Sequence, residues 1–260
     1  MPLFAANITY LFTEVPMLER PEWARRTGFD GVEVLFPYDH TIADWEKALD
    51  GMPLALINTP PGDWLSGDRG FAARPGDEAI FRDSFLRAAD YASRLGAQTV
   101  HVMAGVAKGA QAEATYVENL AWAAAQAPEL RLTLEPLNPE DMPGYFLNDY
   151  DQAARIIDDL ANPQIGLQFD LWHAARLHGD PALVWADHRH RVNHVQIAGF
   201  PSRNEPGGGG FSLPQLADEV DALAGVWIAG EYRPAKGTAN GLFWLNALKS
   251  RAGLIGANEG

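Results

Sequence analysis

Four side chains in the second half of the chain, Glu135, Asp170, Gln196 and Glu231, each end a short apolar run, at 132–135, 165–170, 192–196 and 226–231. Runs of this length bounded by turn signals are how buried parallel strands look in sequence. A polar residue at the exit of each could hold a metal or move a proton. Three carboxylates and an amide carbonyl form an all-oxygen donor set, suited to a hard divalent cation such as Mg²⁺ or Mn²⁺ and less suited to zinc. Crowded together without a cation, the three acids would raise one another's pKa, so either a metal is bound or one of them carries a proton. Singly, each could be a helix cap or an arginine's partner; on four consecutive strands the cluster is the signal.

Strand side chains alternate between faces, so Thr133, Gln168, His194 and Ala229 form the layer beneath these four. That layer is polar enough to hydrogen-bond what lies above it. Glu33 sits inside the apolar run 31–36 and, being costly to bury alone, is expected to meet a cation or a donor within the barrel. His194 reads as a supporting or core histidine, and His173 as a group touching substrate or its neighbours. His178, His188 and His190 lie in or near a polar helical stretch and are expected to be solvated.

The rest of the chain must position these groups. Strand-like runs at 4–10, 31–36, 54–58 and 99–103 alternate with helical patterns at 16–27, 41–49, 76–95 and 112–127. Beyond these, the four opening runs are separated by helical segments near 151–160, 181–190 and 213–224, with a last one at 239–251. Eight units in strict alternation predict a single (β/α)8 TIM barrel over 1–260, with the barrel at about 3–252 and a short C-terminal tail. An open doubly wound sheet would carry a glycine-rich phosphate turn after its first strand, and Leu11-Phe12-Thr13-Glu14-Val15 follows it here. The Pro/Gly-rich connection at 59–76 is long for a compact barrel and reads as a lid or rim over the site.

Composition narrows the partners. The chain has 260 residues, a net charge of −14 and no cysteine. That charge disfavours a nucleic-acid partner, because such affinity comes largely from Lys and Arg. The lack of cysteine excludes disulfides, thiolate metal sites and cysteine nucleophiles. No apolar run reaches membrane-spanning length and no signal peptide is apparent, so a cytoplasmic location is the default expectation. A homo-oligomer stays open.

A set of short motifs then resembles one family. These are Asn7, Gly31-Val32-Glu33 with Phe36-Pro37-Tyr38-Asp39, Gly62-Asp63-Trp64 with Gly67-Asp68-Arg69-Gly70, Glu135-Pro136-Leu137-Asn138, Asp170-Leu171-Trp172-His173, His194-Val195-Gln196, Asn204-Glu205-Pro206-Gly207 and Gly230-Glu231-Tyr232. Together they resemble hydroxypyruvate isomerases, xylose-isomerase-like TIM barrels, over about residues 3–250. The resemblance implies isomerisation of a small hydroxy-oxo acid, hydroxypyruvate to tartronate semialdehyde. It implies Glu135 and Glu231 as the proton-transfer pair, and Glu135, Asp170, Gln196 and Glu231 around a divalent metal that turnover need not require. Gly210 departs from the family, which commonly has an acidic residue there, and a similar subgroup acts on a four-carbon 2-oxo acid. For the substrate carboxylate, Arg69 is the first choice, with Lys108 and Arg203 behind it and Asn7 and His173 as further contacts.

Other readings are a sugar 3-epimerase, where a histidine is expected at Gln196, and a metal-dependent endonuclease, which needs many histidine ligands and a basic groove. A non-catalytic barrel that binds sugar acids is the reading from a different class.

Overall fold

The computed structural model describes residues 1–207 and 211–256. Gly210 and the end of the C-terminal tail lie outside the described residues. Eight parallel strands close into a barrel in chain order: β1 (Leu3–Asn7), β2 (Gly31–Val34), β3 (Leu54–Asn58), β4 (Thr99–His101), β5 (Arg131–Leu134), β6 (Ile165–Asp170), β7 (Val192–Ile197) and β8 (Trp227–Gly230). Pairing of β1 with β8, Leu3 opposite Trp227 through Ala6 opposite Gly230, completes the ring. The outer layer comprises α1 (Arg20–Arg26), α2 (Ile42–Leu49), α3 (Glu78–Leu95), α4 (Ala110–Gln126), α5 (Tyr150–Leu160), α6 (Leu171–His178), α7 (Pro181–His188), α8 (Leu213–Asp221) and α9 (Phe243–Gly256).

Local chemistry sets these boundaries. Helix α2 begins with a capping box in which Thr41 accepts from the Asp44 N–H and Asp44 accepts in return from Thr41, satisfying two otherwise orphan donors. Helix α3 buries Phe81, Phe85, Ala88 and Ala92 on one stripe and stops at Gly96, whose φ of 68° is left-handed and favours glycine. At the lower end of the barrel Gly31 lies so close to the Trp227 indole that an added Cβ would stand 2.8 Å from it.

One sequence expectation differs from the structure, that for His188, and two stretches gain detail that the sequence lacked. The run at 171–178, to which the sequence assigned no element, is helix α6, because Asp170 accepts from the N–H groups of Trp172 and His173 and caps a helix directly at the strand exit. His188 is buried rather than solvated: its ring lies 6.0 Å from that of Tyr150 in a stacked arrangement, and its Nε2 is 3.4 Å from Asp151. Residues 59–76 split into an anchored half and an exposed tip. The N–H groups of Ala72 and Ala73 donate to the carbonyls of Met103 and Ala104, whereas Leu65 is 98% exposed.

Candidate active site

The four residues that end the last apolar runs arrive at one rim, the C-terminal end of the parallel strands. Glu135 directly follows β5, Asp170 closes β6, Gln196 is the fifth residue of β7, and Glu231 directly follows β8. All four are buried. Beneath and beside them is a hydrogen-bonded layer. Glu33 Oε1 accepts from Asn7 Nδ2 at 2.8 Å and from Gln196 Nε2 at 2.6 Å, while its Oε2 lies 2.7 Å from His194 Nε2. A carboxylate with no exposure is tolerated in a barrel interior because these donors replace water.

The same donors continue upward to Glu231. Its Oε2 accepts from Asn7 Nδ2 at 2.7 Å and Gln196 Nε2 at 2.6 Å, and its Oε1 accepts from Arg203 at 2.6 Å. Burial, with Asp170 and Glu33 adding to it, pushes the Glu231 carboxyl up to about 8 despite the opposing guanidinium. Glu135 is held differently. Two ring nitrogens face it, His101 Nδ1 at 3.4 Å and His173 Nε2 at 4.0 Å. Burial and then the charges of Glu231 and Asp170 push its carboxyl well above the usual range. Asp170 is also raised by burial, against Arg203 and the two N–H groups that it caps.

Of the three candidate cations, Arg203 is the one that reaches the acids. Its guanidinium donates to Asp170 at 3.1 Å and Glu231 at 2.6 Å, and it stands 5.9 Å from the rings of Tyr10 and Trp172. Burial opposes its charge, but the surrounding carboxylates hold its pKa above the ordinary value. Arg69 instead lies 3.7 Å over the Trp64 ring and donates to the carbonyls of Trp64 and Asp68. Lys108 is exposed on the β4–α4 loop. Asn7 is committed to Glu33 and Glu231, so in this arrangement it orients the acids rather than offering a free amide.

The metal reading meets a mixed donor set. Among the described residues, ligand atoms of Glu135, Asp170 and His173 lie within 4.8 Å of one another. Glu231 adds a third acid beside them, against one positive charge from Arg203. Three buried acids facing one guanidinium fit a hard cation. Gln196 fits less readily: its carbonyl oxygen accepts from Gln168 Nε2 at 2.6 Å, and its amide nitrogen serves Glu33 and Glu231. It could turn an oxygen to a metal only by giving up those bonds.

Two residues given no role from the sequence belong to the site. His101, at the end of β4, sits under Glu135 with neither ring nitrogen hydrogen-bonded, and burial brings its pKa down to about 3. Its place at a strand exit, like that of the three acids and the amide, was the available signal. Asn138 donates to His173 from its backbone N–H at 3.0 Å, and nothing in a four-residue motif marks that contact in advance.

Residues 21–248 match the family described as xylose isomerase-like TIM barrel. A 2-oxo-tetronate isomerase from Cupriavidus necator is 43% identical over 96% of this chain and 100% of its own length. A hydroxypyruvate isomerase from Escherichia coli is 36% identical over 94% of this chain and 98% of its own. Among solved structures, one described as AP endonuclease, family 2 from Brucella melitensis superposes with a TM-score of 0.89 at 37% identity, covering 95% of this chain and 99% of that one. With a closed eight-stranded barrel, a match spanning most of its length and relatives of this similarity, the chain belongs to the xylose isomerase-like TIM barrel family.

Proposed function

We propose that the chain is an isomerase that moves a proton between adjacent carbons of a small hydroxy-oxo acid. The observation that carries this is the pair of buried glutamates at one rim, Glu135 and Glu231, both driven toward neutrality but by different surroundings. Carboxyl groups whose environments differ in this way divide into an acid and a base. Glu231 is the base in this reading. Its Oε2 already accepts two N–H groups, so Oε1, shared only with Arg203, is the oxygen with a lone pair left for a substrate proton. Glu135, with ring nitrogens for neighbours and no cation of its own, holds a proton and returns it to the adjacent carbon.

The intermediate between these steps is an enediolate, whose oxygens gain negative charge. Donors fixed in advance toward that charge lower the barrier, and in this reading Arg203 and His173 supply them. A divalent cation such as Mg²⁺ or Mn²⁺ would be held by Asp170 with Glu135 and Glu231 in their ionised forms, and when bound would supply further stabilisation of negative charge; for Glu135, holding that cation and holding the proton are alternative states of one carboxyl. Burial of the whole set keeps bulk water from quenching the intermediate.

The substrate follows from the relatives. Hydroxypyruvate, interconverting with tartronate semialdehyde, suits a three-carbon reading, while the 43% identity to the Cupriavidus enzyme favours 2-oxo-tetronate as the acid to test beside it. The Brucella description supports no endonuclease reading here, since a net charge of −14 works against a phosphate backbone. No helix among the described residues is long and apolar enough to cross a membrane, and a cytoplasmic location is part of the same proposal.

The test is incubation of purified protein with each acid in deuterated water, with added Mg²⁺ or Mn²⁺ and after chelation. Carbon-bound deuterium with conversion of one acid is the expected result. No exchange with either acid under any metal condition would leave a barrel that binds sugar acids without turning them over.

A further inference from the structure

His173 has two ring nitrogens, and only one of them faces the acids. Its Nε2 lies 4.0 Å from Glu135 Oε1 and 3.9 Å from Asp170 Oδ2. Taken by distance alone it is a third ligand for a cation held by those two carboxylates. What decides between ligand and donor is the other side of the ring. There Nδ1 receives the backbone N–H of Asn138 at 3.0 Å, and the Asn138 side-chain nitrogen stands at 2.9 Å. A backbone N–H can only donate, so Nδ1 must present a lone pair. The orientation of the Asn138 amide is equally constrained: its oxygen accepts from the N–H groups of Glu140 and Asp141, and its nitrogen donates to Asp141 Oδ2 at 2.8 Å. The amide therefore cannot be turned round without facing two donors with a third.

We infer that Asn138 is a positioning residue that fixes the tautomer of His173: with Nδ1 committed as an acceptor, the ring's single proton sits on Nε2, which makes His173 a hydrogen-bond donor to a substrate oxygen and removes it from the metal's ligands. A nitrogen that carries a proton has no lone pair to give a metal. A neutral imidazole N–H aimed at a carbonyl or enediolate oxygen is an effective electrophile. Asn138 also ties the ring to its surroundings. Through Asp141, which accepts from Trp172 Nε1 at 2.7 Å, it links the β5–α5 loop to the first turn of α6, where Trp172 and His173 sit side by side. The backbone N–H of Asn138 thus sets the proton on the ring, and its side-chain amide holds the ring in position.

The inference rests on the proposed isomerase site, but its test reads the ring without substrate, so the two can fail separately. Protein labelled with ¹⁵N-histidine is examined by long-range ¹H–¹⁵N correlation, with the His173 signals assigned by their loss in His173→Gln. The wild-type ring is expected to show a protonated Nε2 and an unprotonated Nδ1, and to keep them when Mg²⁺ alone is added to saturation. Asn138→Asp keeps the backbone donor but sets a carboxylate against it where the amide donated, and is expected to draw a proton to Nδ1 at the expense of that backbone bond. The same variant should lower kcat for deuterium exchange by about a hundredfold and change KM by less than about threefold. Asn138→Ala keeps the backbone donor, so its tautomer should hold while the ring signals broaden and kcat falls by about tenfold. A wild-type spectrum with the proton on Nδ1, or loss of the Nε2 proton on adding Mg²⁺, would overturn the inference even if neither variant folds. So would an Asn138→Asp protein with unchanged ring signals and kcat.

Discussion

The two ends of the barrel are built from the same strands and do opposite work. On β8, alternation puts Trp227, Ala229 and Glu231 on one face, so a few residues carry the chain from an apolar plug to an acid at the rim. At the lower end Trp227 packs with Ala5, Ala55 and Ala229, and Gly31 leaves room for its indole. At the mouth the inward positions are Asn7, Glu33, Gln196 and Glu231, every one buried and hydrogen-bonded to another. Burying apolar area stabilises the fold, whereas burying carboxylates costs stability that their hydrogen bonds only partly offset. The difference teaches which end holds the barrel together and which is strained for chemistry, a division that parallel (β/α)8 barrels share.

Substitutions at the two ends should therefore separate activity from stability. Glu231→Gln removes the proposed base while keeping the shape and should lower kcat/KM for deuterium exchange by about a thousandfold. Its Tm should not fall, because an amide relieves the crowding of buried acids. Trp227→Ala should do the reverse, costing about 3–5 kcal/mol of stability in denaturant titration while the folded fraction turns over at close to the wild-type rate. A Trp227→Ala protein that is folded but inactive would erase the division, as would a Glu231→Gln protein that is active but unstable.

The pH dependence of stability tests the strain at the mouth directly. The Glu231 carboxyl titrates at about 8 in the folded chain against an ordinary value of 4.5, so between those values the folded state binds more protons than the unfolded one. Stability then falls as pH rises through that window, and the contribution is fully present only below it. Melting should accordingly occur at lower temperature near pH 9 than near pH 6, and Glu231→Gln should flatten the slope. Deuterium exchange should run the other way, rising with pH as the base ionises. An equal slope in the variant would place the strain on other groups.

Much of this was legible in the sequence. The barrel was, because apolar runs of strand length alternate with amphipathic stretches that end at Gly28, Gly96 or Pro128. The acids were, because each interrupts an apolar run at its exit. Helix α6 was not, since Asp170 serves at once as the last strand residue and the helix cap, and no gap marks the junction. The burial of His188 was not, because it depends on Tyr150 from another helix. The direction of the Gln196 amide was not, since it is set by Gln168, Glu33 and Glu231, on three other elements. The placement of the loop cations was not legible for a related reason: a loop arginine's reach depends on the backbone that carries it. Arg203, with φ of 52°, is turned into the mouth, whereas Arg69 is spent on its own loop.

That last contrast gives the smallest expected effect. Arg69 stacks on Trp64 and satisfies two loop carbonyls, so it shapes the tip next to the exposed Leu65 and gives nothing to the acids. Arg69→Ala should loosen that tip and change KM by less than about threefold, whereas Arg203→Ala, which leaves Asp170 and Glu231 without their cation, should lower kcat/KM by about a hundredfold. The comparison turns on whether the tip stays where it is once substrate binds. Trp64 already leans on Phe36, with ring centroids 5.9 Å apart, and Phe36 follows the strand that carries Glu33. A tip that folded inward on this contact would bring the Arg69 guanidinium toward the substrate carboxylate. A KM raised tenfold or more in Arg69→Ala, with kcat unchanged, would be the mark of such closure, because a residue met only in the complex contributes binding and not chemistry. An unchanged KM leaves Arg203 as the cation that meets the substrate.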